Sequence, residues 1–213
     1  LIKPIAGALG AEIWGIDLSQ VDLPQANRIR EAFNRYHVLV FREQTLSPSQ
    51  QKKFAEQFGP LETHPYITGL KEAPEVVPII KERDEKINFG GGWHSDMSFL
   101  SRPPLGSLLY ALEVPEYGGD TLFSNQHAAY LALSDTMKSI LGDLKGLHSA
   151  ASQYGRGGDS EKRNYGSMEL EVSDQAHQLV EHPVVRTHPE SKLRSLYVNR
   201  PFTESIKGMK MPE

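Results

Sequence analysis

The chain contains no cysteine. That excludes disulfides, thiolate metal sites and cysteine nucleophiles, and it leaves the redox compartment undecided. Basic residues are never clustered: no run of Lys or Arg exceeds two residues, and the formal net charge is −4. Nucleic acid is therefore not expected as a partner, because neutralising a phosphate backbone takes grouped cations. No apolar run approaches the length of a membrane span, and the first twenty residues lack the charged-then-apolar layout of a signal peptide. The expectation is no membrane partner and a cytoplasmic location by default. The first residue is Leu1 rather than Met, which predicts a trimmed start. Internal repeats and low-complexity tracts are absent too. What is present suits an ordinary globular protein: 213 residues, 38% apolar and 23% charged. That length accommodates one large domain with a full core, or two small ones.

Local signals place the elements. Pro24 opens a helical pattern in which Ala26, Ile29, Ala32 and Phe33 share one face. His37 to Phe41 is a run of strand formers, with His37 a strand-end histidine satisfied by backbone. Ser47, Pro48 and Gln50 form a helix start with a capping box, and Gly59-Pro60 ends that helix. Residues 76–80 are strand-like, though Pro78 confines them to an edge or a bulge. Leu105 to Val114 reads as a central strand and Thr121 to Ser124 as the next. Ser134 caps a helix whose Met137, Ile140, Leu141 and Leu144 recur at helical spacing and are expected in the core. Residues 151–178 are polar and glycine-containing, a candidate lid or disordered insertion. Residues 182–186 and 196–199 read as two strands around a turn at Pro189-Glu190-Ser191. Many short strands with a few helices predict a mainly β fold with flanking helices (α+β), two sheets with helices packed outside; a jelly roll is one such solution.

The chemistry-bearing stretch is Gly90-Gly91-Gly92-Trp93-His94-Ser95-Asp96. On a strand, residues i and i+2 share a face, so the His94 imidazole and the Asp96 carboxylate could reach one ion. A neutral nitrogen plus a hard carboxylate oxygen matches two of the three ligands of the 2-His-1-carboxylate site of non-haem Fe(II). Taken alone, His-x-Asp is more often a surface hydrogen-bonded pair.

The pair keeps company with Pro103-Pro104, Gly118-Gly119-Asp120-Thr121, the His182 to Pro189 segment and Val198-Asn199. Together with residues 7–13 and 38–42, this combination resembles the taurine dioxygenase (TauD/TfdA-like) family of Fe(II)- and 2-oxoglutarate-dependent oxygenases over nearly the whole chain. The resemblance implies a double-stranded β-helix, which is a jelly roll. It implies Fe(II), 2-oxoglutarate as co-substrate and O2, with ascorbate supportive, and a small, anionic organic substrate that is hydroxylated as succinate and CO2 are released. By the same resemblance His94 and Asp96 are iron ligands and Thr121 hydrogen-bonds the co-substrate. His64 meets the substrate anion, and Phe202 packs on the substrate.

The chain departs from the family pattern in four places. Tyr66 stands two residues after His64 and Ile67 takes the position of a family tyrosine, while Gly90 replaces a polar amide. Taurine is therefore not the expected substrate; a different small acid or sulfonate is. The histidines after Asp96 are His127, His148, His177, His182 and His188, and none falls where the family's second iron histidine would. Nor is the arginine for the far carboxylate of 2-oxoglutarate present, so the chain is expected to be a C-terminally incomplete single dioxygenase domain. Two other readings of the same residues stay open: a non-catalytic jelly-roll module binding a small acid, and a cupin-type hydrolase or isomerase on another metal. Assembly into a homo-oligomer is also left open.

Overall fold

The computed structural model describes residues 1–159 and 168–210. They divide into two compact units, each assembled from three separate stretches of chain.

The first unit comprises Leu1–Leu61, Leu105–Ala132 and Thr187–Ser195. Its sheet runs in the order β1 (Ile2–Pro4), β2 (Ala11–Ile13), β3 (Leu39–Phe41). β1 pairs antiparallel with β2 (Ile2 opposite Ile13), and β2 pairs parallel with β3 (Ala11 opposite Leu39). A parallel pair needs a crossover, and α1 (Leu23–Tyr36) supplies it. Asp22 accepts from the Gln25 N–H while the Gln25 side chain accepts from the Asp22 N–H, a complete capping box. Ala26, Ile29 and Ala32 line the buried face, as their spacing predicts. His37 ends the helix rather than starting a strand: its backbone is left-handed (φ +65°) and its N–H donates to the Phe33 carbonyl. The predicted box at Ser47 and Gln50 opens α2 (Pro48–Glu56). Leu18, Ile29, Leu46 and Phe54 form the core, with Phe41, Phe58, Leu108 and Tyr110 packed on it. α3 (Gln126–Leu131) follows a side-chain cap from Asn125.

Two strand predictions fail in this unit. Residues 105–114 and 121–124 join no sheet among the described residues. The alternation survives in part, with Leu108 and Tyr110 packed inward while Leu109 and Leu112 are 67% and 87% exposed. β-formers alone do not make a strand, since its hydrogen bonds must come from a neighbouring chain segment.

The second unit comprises Glu62–Pro104, Leu133–Arg186 and Leu196–Glu213. α4 (Asp135–Gly142) starts at the predicted Ser134 cap, and a short α5 (Ala151–Tyr154) follows β4 (Lys145–His148). β4 is the middle strand of an antiparallel sheet, flanked by β5 (Val180–Pro183) and β8 (Thr203–Ile206). β6 (Val185–Thr187) and β7 (Arg194–Leu196) pair as a hairpin whose turn belongs to the first unit. The core collects Tyr66, Ile67, Phe99, Tyr154, Met168 and Phe202 around Ala150 and Ala176.

The apolar stripe of α4 is not core. None of its residues is buried, and Met137 and Ile140 are 41% and 53% exposed. Cap and periodicity suffice to start a helix, but burial of its face needs a partner surface. Residues 76–80 are irregular, as the missing N–H of Pro78 permits. Of the candidate lid, residues 160–167 lie outside the described residues; on either side stand α5 and a 3-10 turn, Asp174–His177, that buries Ala176. Among the described residues no helix is long and apolar enough to cross a membrane.

Candidate functional site

His94 and Asp96 meet, though not on a strand. Residues 92–95 are irregular chain, and a turn beginning at Asp96 brings the carboxylate back toward the ring. That turn contains Met97 in the left-handed region, φ +50°, and is closed by the Leu100 N–H donating to the Met97 carbonyl at 3.0 Å. His94 Nδ1 lies 2.7 Å from the Gly92 carbonyl oxygen, so it carries the proton and donates it there. Its other nitrogen, Nε2, stands 3.0 Å from Asp96 Oδ1. The hydrogen bond to Asp96 raises the His94 pKa most; burial opposes that, and the Gly92 carbonyl adds to it.

This arrangement fits a metal ion. With Nδ1–H committed to the Gly92 carbonyl, giving up the Nε2 proton shared with Asp96 would leave the Nε2 lone pair to bind an ion. Two ligands about 2.1 Å from one ion and at right angles to each other stand about 3.0 Å apart, which is the observed separation of Nε2 and Oδ1. The side chains retain 30% and 57% of their exposure, so an ion can reach them. Among the described residues no third His, Asp or Glu joins the pair.

His64 lies in the same unit and feels the Asp96 charge. Its Nδ1 accepts the Tyr66 N–H at 3.1 Å, which places the ring proton on Nε2. Burial pushes the imidazole down to about 4, with Asp96 opposing, so His64 is neutral at pH 7. It sits in a cage of rings: Tyr154 at 5.3 Å, Phe99 at 6.1 Å and Tyr66 at 6.2 Å. Phe202 is 6% exposed, packs edge-on against Phe99 at 5.0 Å and stands 6.5 Å from the His94 ring. The structure therefore brings His94, Asp96, His64 and Phe202 around one aromatic cluster. An N–H donor in an apolar wall can hold a compact anion, and the anion would in turn favour protonation of that imidazole.

Thr121 belongs to the first unit, where it is exposed on irregular chain rather than in the predicted strand. The later histidines are engaged elsewhere. His127 Nδ1 pairs with the Arg194 carbonyl, and His188 Nδ1 accepts from the Glu190 and Ser191 N–H groups. His182 Nε2 donates to the Leu100 carbonyl at 2.9 Å, and His148 is fully buried. The rings of Tyr66 and Tyr154, stacked at 5.0 Å, are part of the site that sequence reasoning passed over. Tyr66 was visible beside His64, but nothing in the pattern of α5 singled out Tyr154.

The chain is 33% identical over 211 residues to the alkylsulfatase of Acinetobacter baylyi, covering 96% of this chain and 64% of that protein. It is 31% identical to the alpha-ketoglutarate-dependent sulfate ester dioxygenase of Pseudomonas putida, covering 100% of this chain and 70% of that one. The chain thus spans roughly two thirds of the length of these relatives. The crystal structure of AAD-2 in complex with Mn(II) and N-oxalylglycine superposes with a TM-score of 0.77 at 30% identity, over 100% of this chain and 76% of that one. The family model described as taurine catabolism dioxygenase TauD, TfdA family, matches residues 1–213, and the chain belongs to that family.

Proposed function

We propose that this protein is an Fe(II)- and 2-oxoglutarate-dependent dioxygenase that hydroxylates a small anionic organic substrate. The observation that carries this reading is the His94–Asp96 pair: Nδ1 tied to the Gly92 carbonyl, Nε2 directed at Oδ1 3.0 Å away. An iron ion there, with 2-oxoglutarate and O2, supplies the oxidising power for C–H hydroxylation, with succinate and CO2 as co-products. Relatives named as alpha-ketoglutarate-dependent dioxygenases, and one solved with Mn(II), support the assignment. So does the family's double-stranded β-helix, which we take as the architecture to which the sheets of this chain belong.

In this reading His94 and Asp96 contribute two protein ligands, and Gly92 keeps the imidazole in the ligating tautomer. Thr121 hydrogen-bonds 2-oxoglutarate. His64 donates Nε2–H to the anionic head of the substrate, and Phe202 packs on its carbon skeleton. Tyr66, Phe99 and Tyr154 exclude water from that side, which strengthens the His64 hydrogen bond. Ile67 stands where the family has a tyrosine and Gly90 where it has a polar amide, so a sulfate ester, a sulfonate without an amine or a carboxylate is the substrate class.

The test is release of succinate by the protein with Fe(II), ascorbate and 2-oxoglutarate against a panel of alkyl sulfates, sulfonates and aryloxy acids. Substrate-dependent succinate that disappears in His94→Ala is expected. Absence of any 2-oxoglutarate turnover, or turnover that survives His94→Ala, would overturn the reading.

A further inference from the structure

Asp96 is followed by a turn that one backbone hydrogen bond closes, from the Leu100 N–H to the Met97 carbonyl. Met97 is left-handed at φ +50°, a conformation that is costly for a residue with a side chain. The next residue, Ser98, is fully buried, and its hydroxyl belongs to a closed ring of polar groups. Asn199 Nδ2 donates to Ser98 Oγ at 2.9 Å, so the single hydroxyl proton of Ser98 is free to be donated to His148 Nδ1 at 3.2 Å. A neutral His148 that accepts at Nδ1 carries its proton on Nε2, which faces Thr203 Oγ1 at 3.4 Å. Thr203 Oγ1 also accepts the backbone N–H of Asn199 at 3.0 Å, which closes the ring. Two proton arrangements satisfy the four contacts, and His148 is neutral in both: with its proton on Nε2 it accepts from Ser98 and donates to Thr203, and with its proton on Nδ1 it donates to Ser98 and accepts from Thr203.

Two further observations show that the ring is built rather than incidental. Gly146 lies beneath it, where a Cβ would come within 2.9 Å of His148 Nε2. Asn199 Oδ1 is buried without a hydrogen-bond partner, so this side chain is held in place at the expense of one of its own groups. The far end of the turn is gripped as well, because His182 Nε2 donates to the Leu100 carbonyl at 2.9 Å.

We propose that Ser98, Asn199 and His148 are positioning residues for the metal pair, clamping the turn so that left-handed Met97 directs the Asp96 carboxylate at His94 Nε2. The inference rests on the reading of His94 and Asp96 as metal ligands. None of the three touches the metal; they act through the backbone between Asp96 and Ser98. The clamp predicts a specific rescue. Asparagine tolerates the left-handed region because its short side chain bonds locally, so Met97→Asn would hold the turn with less help from the ring.

The experiment is titration of the apo-protein with Mn(II), followed by electron paramagnetic resonance, which requires neither co-substrate nor turnover. Ser98→Ala and Asn199→Ala are each expected to weaken Mn(II) affinity about tenfold, the usual scale for groups supporting a metal ligand. Binding is measured well below each variant's Tm, with the folded fraction checked by circular dichroism. Ser98→Ala removes one oxygen atom and is the variant expected to fold if Asn199→Ala does not. Adding Met97→Asn to either is expected to restore most of the affinity without restoring Tm. Wild-type affinity in folded Ser98→Ala and Asn199→Ala would overturn the proposal, as would failure of Met97→Asn to recover any of the loss. If Asp96→Ala left wild-type Mn(II) binding unchanged, the metal reading itself would fall and take the clamp with it.

Discussion

Replacing His148 with asparagine should turn an acid-sensitive protein into one less sensitive at that site, and the size of the change follows from the burial of the ring. Burial, then the nearby His182 and Arg186, push the imidazole from 6.5 down to about 4. Because the folded pKa lies below the unfolded one, the unfolded chain binds more protons between those values. His148 therefore contributes no pH dependence above about 6.5, destabilises the fold progressively as pH falls, and levels off below about 4. With these two values the loss is about 2 kcal/mol at pH 5 and about 3 kcal/mol at pH 4. His148→Asn keeps an acceptor for the Ser98 hydroxyl but cannot titrate, and it forfeits the stack on Tyr197, whose ring centroid is 5.9 Å away. It should cost about 2–3 kcal/mol at pH 7, as is usual for emptying part of a buried site. Urea unfolding of both proteins at pH 7, 6 and 5 is the assay, because carboxylates and other histidines common to both cancel in the difference. The gap between them should close by about 2 kcal/mol from pH 7 to pH 5. A gap that stays constant within about 0.5 kcal/mol would show that the imidazole is not held neutral, and both proton arrangements of the ring would fail with it.

His94→Ala and Asp96→Ala should each reduce Mn(II) affinity at least a hundredfold while moving Tm by only a few degrees, since both side chains remain partly exposed; a large loss of Tm with retained metal binding would contradict the assignment. Glu190→Ala should destabilise by about 1–3 kcal/mol in denaturant titration, because its carboxylate accepts from Arg30 and, at 2.8 Å, from Asn34, leaving two part-buried donors unpaired. A cost under about 0.5 kcal/mol would mean that water replaces the carboxylate. Ser47→Ala should cost about 1 kcal/mol by removing the cap of α2, and Ser47→Asp should restore most of it in the same measurement.

What could be read from the sequence was whatever is decided within one turn of chain. The boxes at Asp22–Gln25 and Ser47–Gln50 pair groups three residues apart, and the cap at Ser134 is as local. The second box and the Ser134 cap were read directly, and the helix after Asp22 was placed within a residue. Strands fared worse because every ladder hydrogen bond of a strand has its partner in another segment. Residues 105–114 have the composition of a strand, yet composition cannot report whether a neighbour is there to pair. The α4 stripe failed for the same reason, since periodicity gives a face and says nothing of its cover. Tyr154 joins His64 across ninety residues of sequence and Asn199 reaches Ser98 across 101, so neither contact left a mark at short range.

The histidines show how far geometry can separate a ligand from a structural side chain when spacing cannot. All eight are single letters in the sequence with the same intrinsic chemistry. His148 is fully buried, with both ring nitrogens facing protein hydroxyls, and burial holds it neutral; its lone pair is spent inside the fold. His182 gives its Nε2 proton to a backbone carbonyl and is 5% exposed, so it fastens a turn. His64 accepts from backbone at one nitrogen and presents an N–H from the other, which suits an anion and not a cation. Only His94 combines a proton donated from Nδ1 to backbone with a partly exposed Nε2 directed at a carboxylate, the arrangement on which the proposed metal-ligand role rests. The sequence singled out His94 because Asp96 stands two residues away. It gave the wrong reason, a shared strand face, since the two converge through a left-handed turn. Spacing identified the pair, while the turn that aims it depends on residues fifty and a hundred positions downstream.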